Sequence, residues 1–248
     1  MIRLQGIEKR YGKFQAVHPL DLEVPKGEVF GFLGPNGAGK TTTNRILAGV
    51  LPATSGSVFI DNIDMAADPV ECRRRIGFIP DRPFTYEKLT AREFLAFIGG
   101  IYSMDPKDVA RRSDSVLDQN GLLDRADELI EAYSHGMKQR LVLSAAILHD
   151  PAVLIVDEPM VGLDPHGAKR IKALFRDLAK KGRTVFLSTH SLDVAQEVCD
   201  RVGILYRGRL VALGKVDELM NSGDQDLEAV FLRITQEEEN AYREGEHP

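Results

Sequence analysis

The run Val29-Phe-Gly-Phe-Leu33 is unbroken apolar chain that passes straight into Gly34-Pro35-Asn36-Gly37-Ala38-Gly39-Lys40-Thr41-Thr42, and a helix-like pattern follows from Thr42 to Val50. Strand, glycine loop and helix in immediate succession leave few architectures open. The spacing is G-x-x-x-x-G-K-[ST]. Its glycines let backbone N–H groups converge on anionic oxygens, and the helix N-terminus adds its partial positive charge. Lys40 would reach the β- and γ-phosphates of a bound nucleotide, and the Thr41 hydroxyl would ligate Mg²⁺. With glycine at ~7% of residues, a chance match in a chain this long arises about once in a hundred. The strand before it and the helix after it lower that further.

Other short apolar runs recur: Val58–Ile60, Ile76–Ile79, Ala152–Val156, Thr184–Leu187 and Val202–Leu205. Runs this short and β-rich, with polar helix patterns between several of them, read as strands buried on both faces, hence a mostly parallel α/β sheet. The front of the chain, "MIRLQGIEKRYG" and "AVHPLDLEVPKGEV", reads instead as antiparallel strands with turns. Between about residues 85 and 150 the strand signals stop. There Thr90 and Glu93 form a capping box with Leu89 and Phe94 as a staple, and Asp105-Pro106 is an N-cap and N1 pair. Ser134 caps a helix whose Met137, Leu141, Ala145 and Leu148 share one face. This is a helical insertion in an α/β core. The end of the chain, 233–248, is acidic and poor in apolar residues, and reads as a disordered tail.

Two further features complete a site. Ala152–Val156 ends in Asp157-Glu158-Pro159, an apolar strand terminating in two carboxylates: Asp157 can hold Mg²⁺ and Glu158 can orient an attacking water. A second anion-friendly helix start, Ser134-His135-Gly136-Met137, lies more than ninety residues beyond the first. One nucleotide needs only one such loop, so the second wants explaining.

The net charge of −5 argues against a nucleic-acid binder working by bulk electrostatics. Cys72 and Cys199 lie in no metal-ligand spacing, which suits a reduced, cytosolic chain. No apolar h-region marks the N-terminus as a signal peptide, and no run approaches the ~20 apolar residues of a membrane span. If the protein works at a membrane, another chain supplies the crossing.

"GPNGAGKTT", "YSHGMKQRL", "LIVDEPMVGLDP" and "LSTH" occur in the order and spacing of an ABC-type ATP-binding domain, and the resemblance runs from about Ile2 to the low 230s. It implies a P-loop NTPase fold: a RecA-like, mostly parallel sheet with an antiparallel β subdomain and an inserted helical subdomain. It implies an ATPase using ATP and Mg²⁺, either homodimeric or paired with a homologous subunit, and docked on the cytoplasmic face of the membrane under a separate permease. Two such domains pack head to tail, so Ser134 and Gly136 would face the γ-phosphate held by the partner's Lys40, which answers why a second anion-friendly helix start is present. By the same resemblance Tyr11 matches the aromatic that stacks on adenine. Asp164 matches the loop touching the partner's site, although Asp164-Pro165 is also a plain N-cap pair. His190 matches the histidine that contacts the γ-phosphate and steadies Glu158. Two departures stand out. Asp81 replaces the usual glutamine after "IGFIP"; an ionised carboxylate can reach Mg²⁺ but cannot donate a hydrogen bond, and a turn residue ahead of Arg82-Pro83 is the plainer reading. His135 and Met137 replace a glycine and a glutamine of the signature. Both variants resemble the branch serving multidrug, polysaccharide and other two-component exporters. The alternative is a soluble ABC-type ATPase of DNA maintenance or the ribosome.

Overall fold

The computed structural model describes residues 1–82, 84–160, 163–220 and 226–243. The strands are β1 (Ile2–Tyr11), β2 (Phe14–Val24), β3 (Val29–Leu33), β4 (Ser55–Ile60), β5 (Ile63–Asp64), β6 (Ile76–Ile79), β7 (Val153–Asp157), β8 (Thr184–Thr189), β9 (Arg201–Tyr206) and β10 (Arg209–Lys215). The helices are α1 (Lys40–Leu47), α2 (Pro69–Arg74), α3 (Ala91–Ile101), α4 (Pro106–Gln119), α5 (His135–Ile147), α6 (Pro165–Lys180), α7 (Leu192–Val198), α8 (Val216–Met220) and α9 (Leu227–Arg243).

The larger sheet has the order β10-β9-β3-β8-β7-β6, parallel from β9 to β6 with β10 antiparallel at the edge. Its parallel strands are buried on both faces, and side-chain alternation sorts them into two cores. Phe30, Phe32, Val153, Ile155 and Phe186 point to one side, where they meet α1 and the antiparallel sheet β2-β1-β4-β5. Val29, Leu33, Leu154, Val156, Val185 and Leu187 point to the other, against the helical insertion, α6, α7 and α9. Phe186 sits between Phe30 and Phe32 with ring centroids 5.5 and 5.3 Å away; each fully buried ring contributes about 2–3 kcal/mol over an exposed one. The insertion starts as its signals indicate. Thr90 and Glu93 form a reciprocal capping box, and Asp105 accepts from the Lys107 amide ahead of Pro106.

Three expectations change. Val58–Ile60 belongs to the antiparallel sheet: β4 pairs with β1, Ile2 opposite Ile60, a long-range choice that an apolar run does not specify. Helix α5 is not buried along one stripe; every residue from Leu141 to Ile147 is buried, because α5 is wedged between α3, α4 and the strand β6. Finally, the expected disordered tail is helical as far as Arg243, within α9. Leu227 and Val230 are fully buried, Phe231 and Ile234 pack beside them, and Glu239 accepts from the Tyr206 hydroxyl and from Arg207 at 2.9 Å. The Arg207 guanidinium lies 4.0 Å from the Tyr242 ring centroid. Glu239 thus finds a cationic and a phenolic partner where β9 turns into β10. Residues 244–248 of the expected tail lie outside the described residues.

The insertion is tied to the sheet at a ring pair. Tyr102 stacks on His149 with centroids 3.7 Å apart, and both donate to the Ile76 carbonyl at the head of β6, from Nε2 at 3.1 Å and from the hydroxyl at 3.4 Å. Burial lowers the His149 pKa to about 4, against a smaller opposing pull from that carbonyl. The folded ring therefore stays neutral where the unfolded chain protonates near pH 6.5. The stability it contributes is complete above that pH and is lost as pH falls towards 4. Through this group the protein should be roughly 2 kcal/mol less stable at pH 5 than at pH 7.5. His149→Phe keeps the stack and removes the titration. Urea unfolding of both proteins at the two pH values is the measurement, and equal pH losses in both would refute the assignment.

Candidate active site

At the carboxyl edge of the parallel strands, where β3, β8 and β7 lie side by side, a cleft of about 540 Å³ opens. The turn and first residues of α1 supply Pro35, Asn36, Gly37, Gly39, Lys40, Thr41 and Thr42. Asp81 enters from beyond β6, Asp157 and Glu158 from the end of β7, His190 from just past β8, and Tyr11 from the end of β1. Gly34 and Ala38 shape the loop from behind instead. A Cβ on Gly34 would lie 2.3 Å from the Leu205 carbonyl oxygen, and the Ala38 carbonyl accepts from the Gly208 amide at 2.9 Å. Gly39 is barred to other residues twice over: its φ is +106°, and a Cβ would meet the Ala16 carbonyl at 2.6 Å.

Lys40 is buried at the floor, where its ammonium donates to the carbonyls of Gly34 at 2.6 Å and Pro35 at 3.2 Å. Burial pulls its pKa down, while Glu158 and Asp157 push it back up. Next to it, Thr41 Oγ1 donates to Asp157 Oδ2 at 2.9 Å. The other oxygen of Asp157 accepts from Ser188, which in turn accepts from Asn44 Nδ2 at 2.6 Å. This buried chain locks the carboxylate and ties α1 to β7 and β8. Ser188 and Asn44 were not singled out in the sequence, where Asn44 stands in the polar run Lys40-Thr-Thr-Thr-Asn44-Arg45 and Ser188 beside Thr189, with nothing local to mark either.

Glu158 leaves β7 with φ of +50°, an uncommon conformation for a side-chain-bearing residue. Its amide donates to the Ser188 carbonyl at 2.9 Å. Its carboxylate accepts from Thr189 Oγ1 at 3.0 Å, from the His190 amide at 3.0 Å and from His190 Nδ1 at 2.8 Å. The last contact requires the ring proton on Nδ1. Glu158 is thus aimed from its base while His190 stands largely exposed above it.

Tyr11 is 48% exposed and Phe14, opposite it in the β1–β2 register, is 65% exposed; both line the cleft. Two aromatics left in solvent at the open end of a polar cleft form an apolar shelf. Phe14 and the neighbouring Ala16 are cleft residues that the sequence reading missed, although an aromatic three residues after Tyr11 in "YGKF" was a visible cue.

Residues 17–161 match the model of the ABC transporter family. The linearmycin resistance ATP-binding protein LnrL of Bacillus subtilis is 36% identical over 88% of this chain and 70% of its own length. The daunorubicin resistance ATP-binding protein DrrA3 of Streptomyces coeruleorubidus is 37% identical over 94% of this chain and 73% of its own. The chain belongs to the ABC transporter family.

Solved structures agree. An ATP-binding subunit of an ABC transporter superposes with a TM-score of 0.88 at 29% identity, covering 95% of this chain and 99% of the other. The dimeric post-hydrolysis state of the ATP-binding cassette MJ0796, bound to ADP and Pi, gives 0.79 at 27% identity, covering 87% and 98%. The fold is that of an ABC ATPase domain, and the protein is an ATP-binding, ATP-hydrolysing ABC transporter subunit. Among the described residues no helix is long and apolar enough to cross a membrane.

Besides Gly34 and Ala38, which stand behind the loop, three of the singled-out residues do not line the cleft of their own chain. Ser134 is exposed and accepts from the Met137 amide at 3.3 Å. Gly136 lies in the first turn of α5, and Asp164 caps α6, accepting from the Gly167 amide at 2.6 Å.

Proposed function

We propose that this subunit hydrolyses ATP in a head-to-tail dimer and drives export through a separate membrane permease on whose cytoplasmic face it sits. One observation carries the dimer: the cleft has a complete phosphate loop and carboxylate pair, while the capped, exposed helix start at Ser134 and Gly136 lies outside it, free to cover the same cleft in a second copy. A hydroxyl and a side-chain-free residue at a helix N-terminus suit the terminal phosphate of ATP. In this reading Lys40 and the backbone of the loop hold the phosphates, the Tyr11 shelf takes adenine, and Glu158 orients water under the hand of His190. Asp164 reaches the partner's site from the start of α6.

The oxygens of Thr41 and Asp157, 2.9 Å apart at the cleft, fit Mg²⁺, a hard cation that keeps several waters and takes phosphate oxygens beside one or two protein ligands. No group of three or more His, Cys, Asp or Glu able to hold a metal occurs among the described residues, which suits a metal carried largely by its nucleotide. When bound, Mg²⁺ offsets the charge of the phosphates. Asp81 lines the same cleft, and in this reading it adds a third oxygen. Asp81→Ala should then raise the Mg²⁺ concentration for half-maximal ATPase activity by about tenfold, with Asp81→Gln recovering part of the loss. Mg²⁺ titrations at fixed ATP decide it: superimposable curves would leave Asp81 shaping the loop only.

Export is favoured by relatives named for linearmycin and daunorubicin resistance. A chromosome-type role wants a long coiled coil between the loop and Ser134, where the helices α3 and α4 have only 11 and 14 residues. Co-reconstitution with a candidate membrane permease from the same genome is the test. ATPase activity should rise several-fold over the subunit alone and vanish with Lys40→Ala; no stimulation would set transport aside.

A further inference from the structure

The helix that starts at Ser134 returns to its own chain's cleft about one and a half turns later. There Gln139 and Leu143 close a chamber of about 20 Å³ against Asp81, Asp157 and Glu158. The Gln139 Oε1 atom is buried and has no hydrogen-bond partner. An amide oxygen beside carboxylates in one chamber is an acceptor among acceptors. A water, with two donors, satisfies both sides. The chamber exceeds the ~10–15 Å³ that one water needs, and its rim offers the polar partners.

We propose that Gln139 is a positioning residue for Glu158, acting through one bridging water that donates to Gln139 Oε1 and to the Glu158 carboxylate. Glu158 Oε2 accepts from Thr189 Oγ1 and has a further lone pair for this bond. The Glu158 carboxylate, which already accepts from Thr189 and His190, gains one more bond, a brace that fixes its direction. The consequence is directional. Ser134 and Gln139 lie on the same helix, so a displacement of its start by nucleotide in the partner's cleft reaches the catalytic carboxylate of the subunit that owns the helix. Each site then senses the other without a change of fold.

The inference rests on the proposed role of Glu158, and a double-mutant cycle separates the two. Gln139→Met keeps the volume and removes the hydrogen bond. Its kcat should fall about tenfold while the KM for ATP stays within about twofold. In single-turnover assays, adding Gln139→Met to Glu158→Gln should cost less than about twofold more, because the water has lost the group it positions. Gln139→Leu is the second variant if methionine lowers the melting temperature. Wild-type kcat in the folded Gln139 variants, or losses that multiply in the double variant, would overturn the brace and leave the role of Glu158 standing. A Glu158→Gln protein with wild-type turnover would overturn both.

Discussion

Glu158→Gln should lose most ATP hydrolysis, on the order of 10²–10⁴-fold, while still binding ATP and accumulating as a nucleotide-bound dimer. The groups proposed to hold phosphate and metal are untouched: Lys40 at the floor, and Thr41 bonded to an Asp157 that is locked by Ser188. What changes is the charge and basicity of the carboxylate that, in the proposed reaction, orients the attacking water. The amide fits the same space. One of its ends keeps an acceptor for the His190 amide and Nδ1, and the Thr189 hydroxyl can rotate to accept from the other. The fold therefore tolerates the change, and the loss reports chemistry. Steady-state turnover measured beside sizing chromatography in ATP tests both halves. Undiminished turnover removes Glu158 from its role. Lost turnover without a dimer would detach hydrolysis from dimerisation.

Much of this site was legible because its residues stand at element boundaries. Val29–Leu33 and Ile76–Ile79 are strands with the expected limits, since buried parallel strands read as unbroken apolar runs ended by turn residues. Lys40, Asp157 and His190 follow three such runs, and adjacent parallel strands bring their carboxyl ends together. The reading failed where pairing across long sequence separations decides the outcome. Val58–Ile60 has the same apolar character as the parallel strands but finds β1 as its neighbour. Thr41 and Asp157 meet across 116 residues, and Ser188 and Asn44 across 144, so the polar chain behind Asp157 leaves no local trace. Helix α9 was misjudged for a related reason. Its acidic residues lower the local hydropathy, yet Glu239 is neutralised by Arg207, more than thirty residues upstream. Gln139 shows the limit most sharply, because its significance lies in what the ends of β6 and β7 place opposite it.

Mixing two dead variants should restore activity. A Ser134→Arg protein presents a bulky cation where the partner's terminal phosphate would sit, and a Lys40→Ala protein cannot hold that phosphate at all; each is inactive alone. In a head-to-tail heterodimer both defects fall on one composite site, because each cleft takes its loop from one subunit and its helix start from the other. The second site combines an intact Lys40 with an intact Ser134. At equal concentrations half of a freely exchanging population is heterodimer, and with one sound site in two, ATPase activity should reach roughly a quarter of wild type. It should follow a parabola in mixing ratio, peaking at equal amounts. The arginine also removes the cap on the Met137 amide, at a cost of about 1 kcal/mol, so the melting temperature of the Ser134→Arg protein needs checking first. Its exposed position keeps the fold within reach of that loss. Independent sites, each built from a single chain, predict no gain at any ratio. Activity that never exceeds the weighted sum of the two variants, in samples shown by cross-linking to contain heterodimer, would therefore sink the shared site.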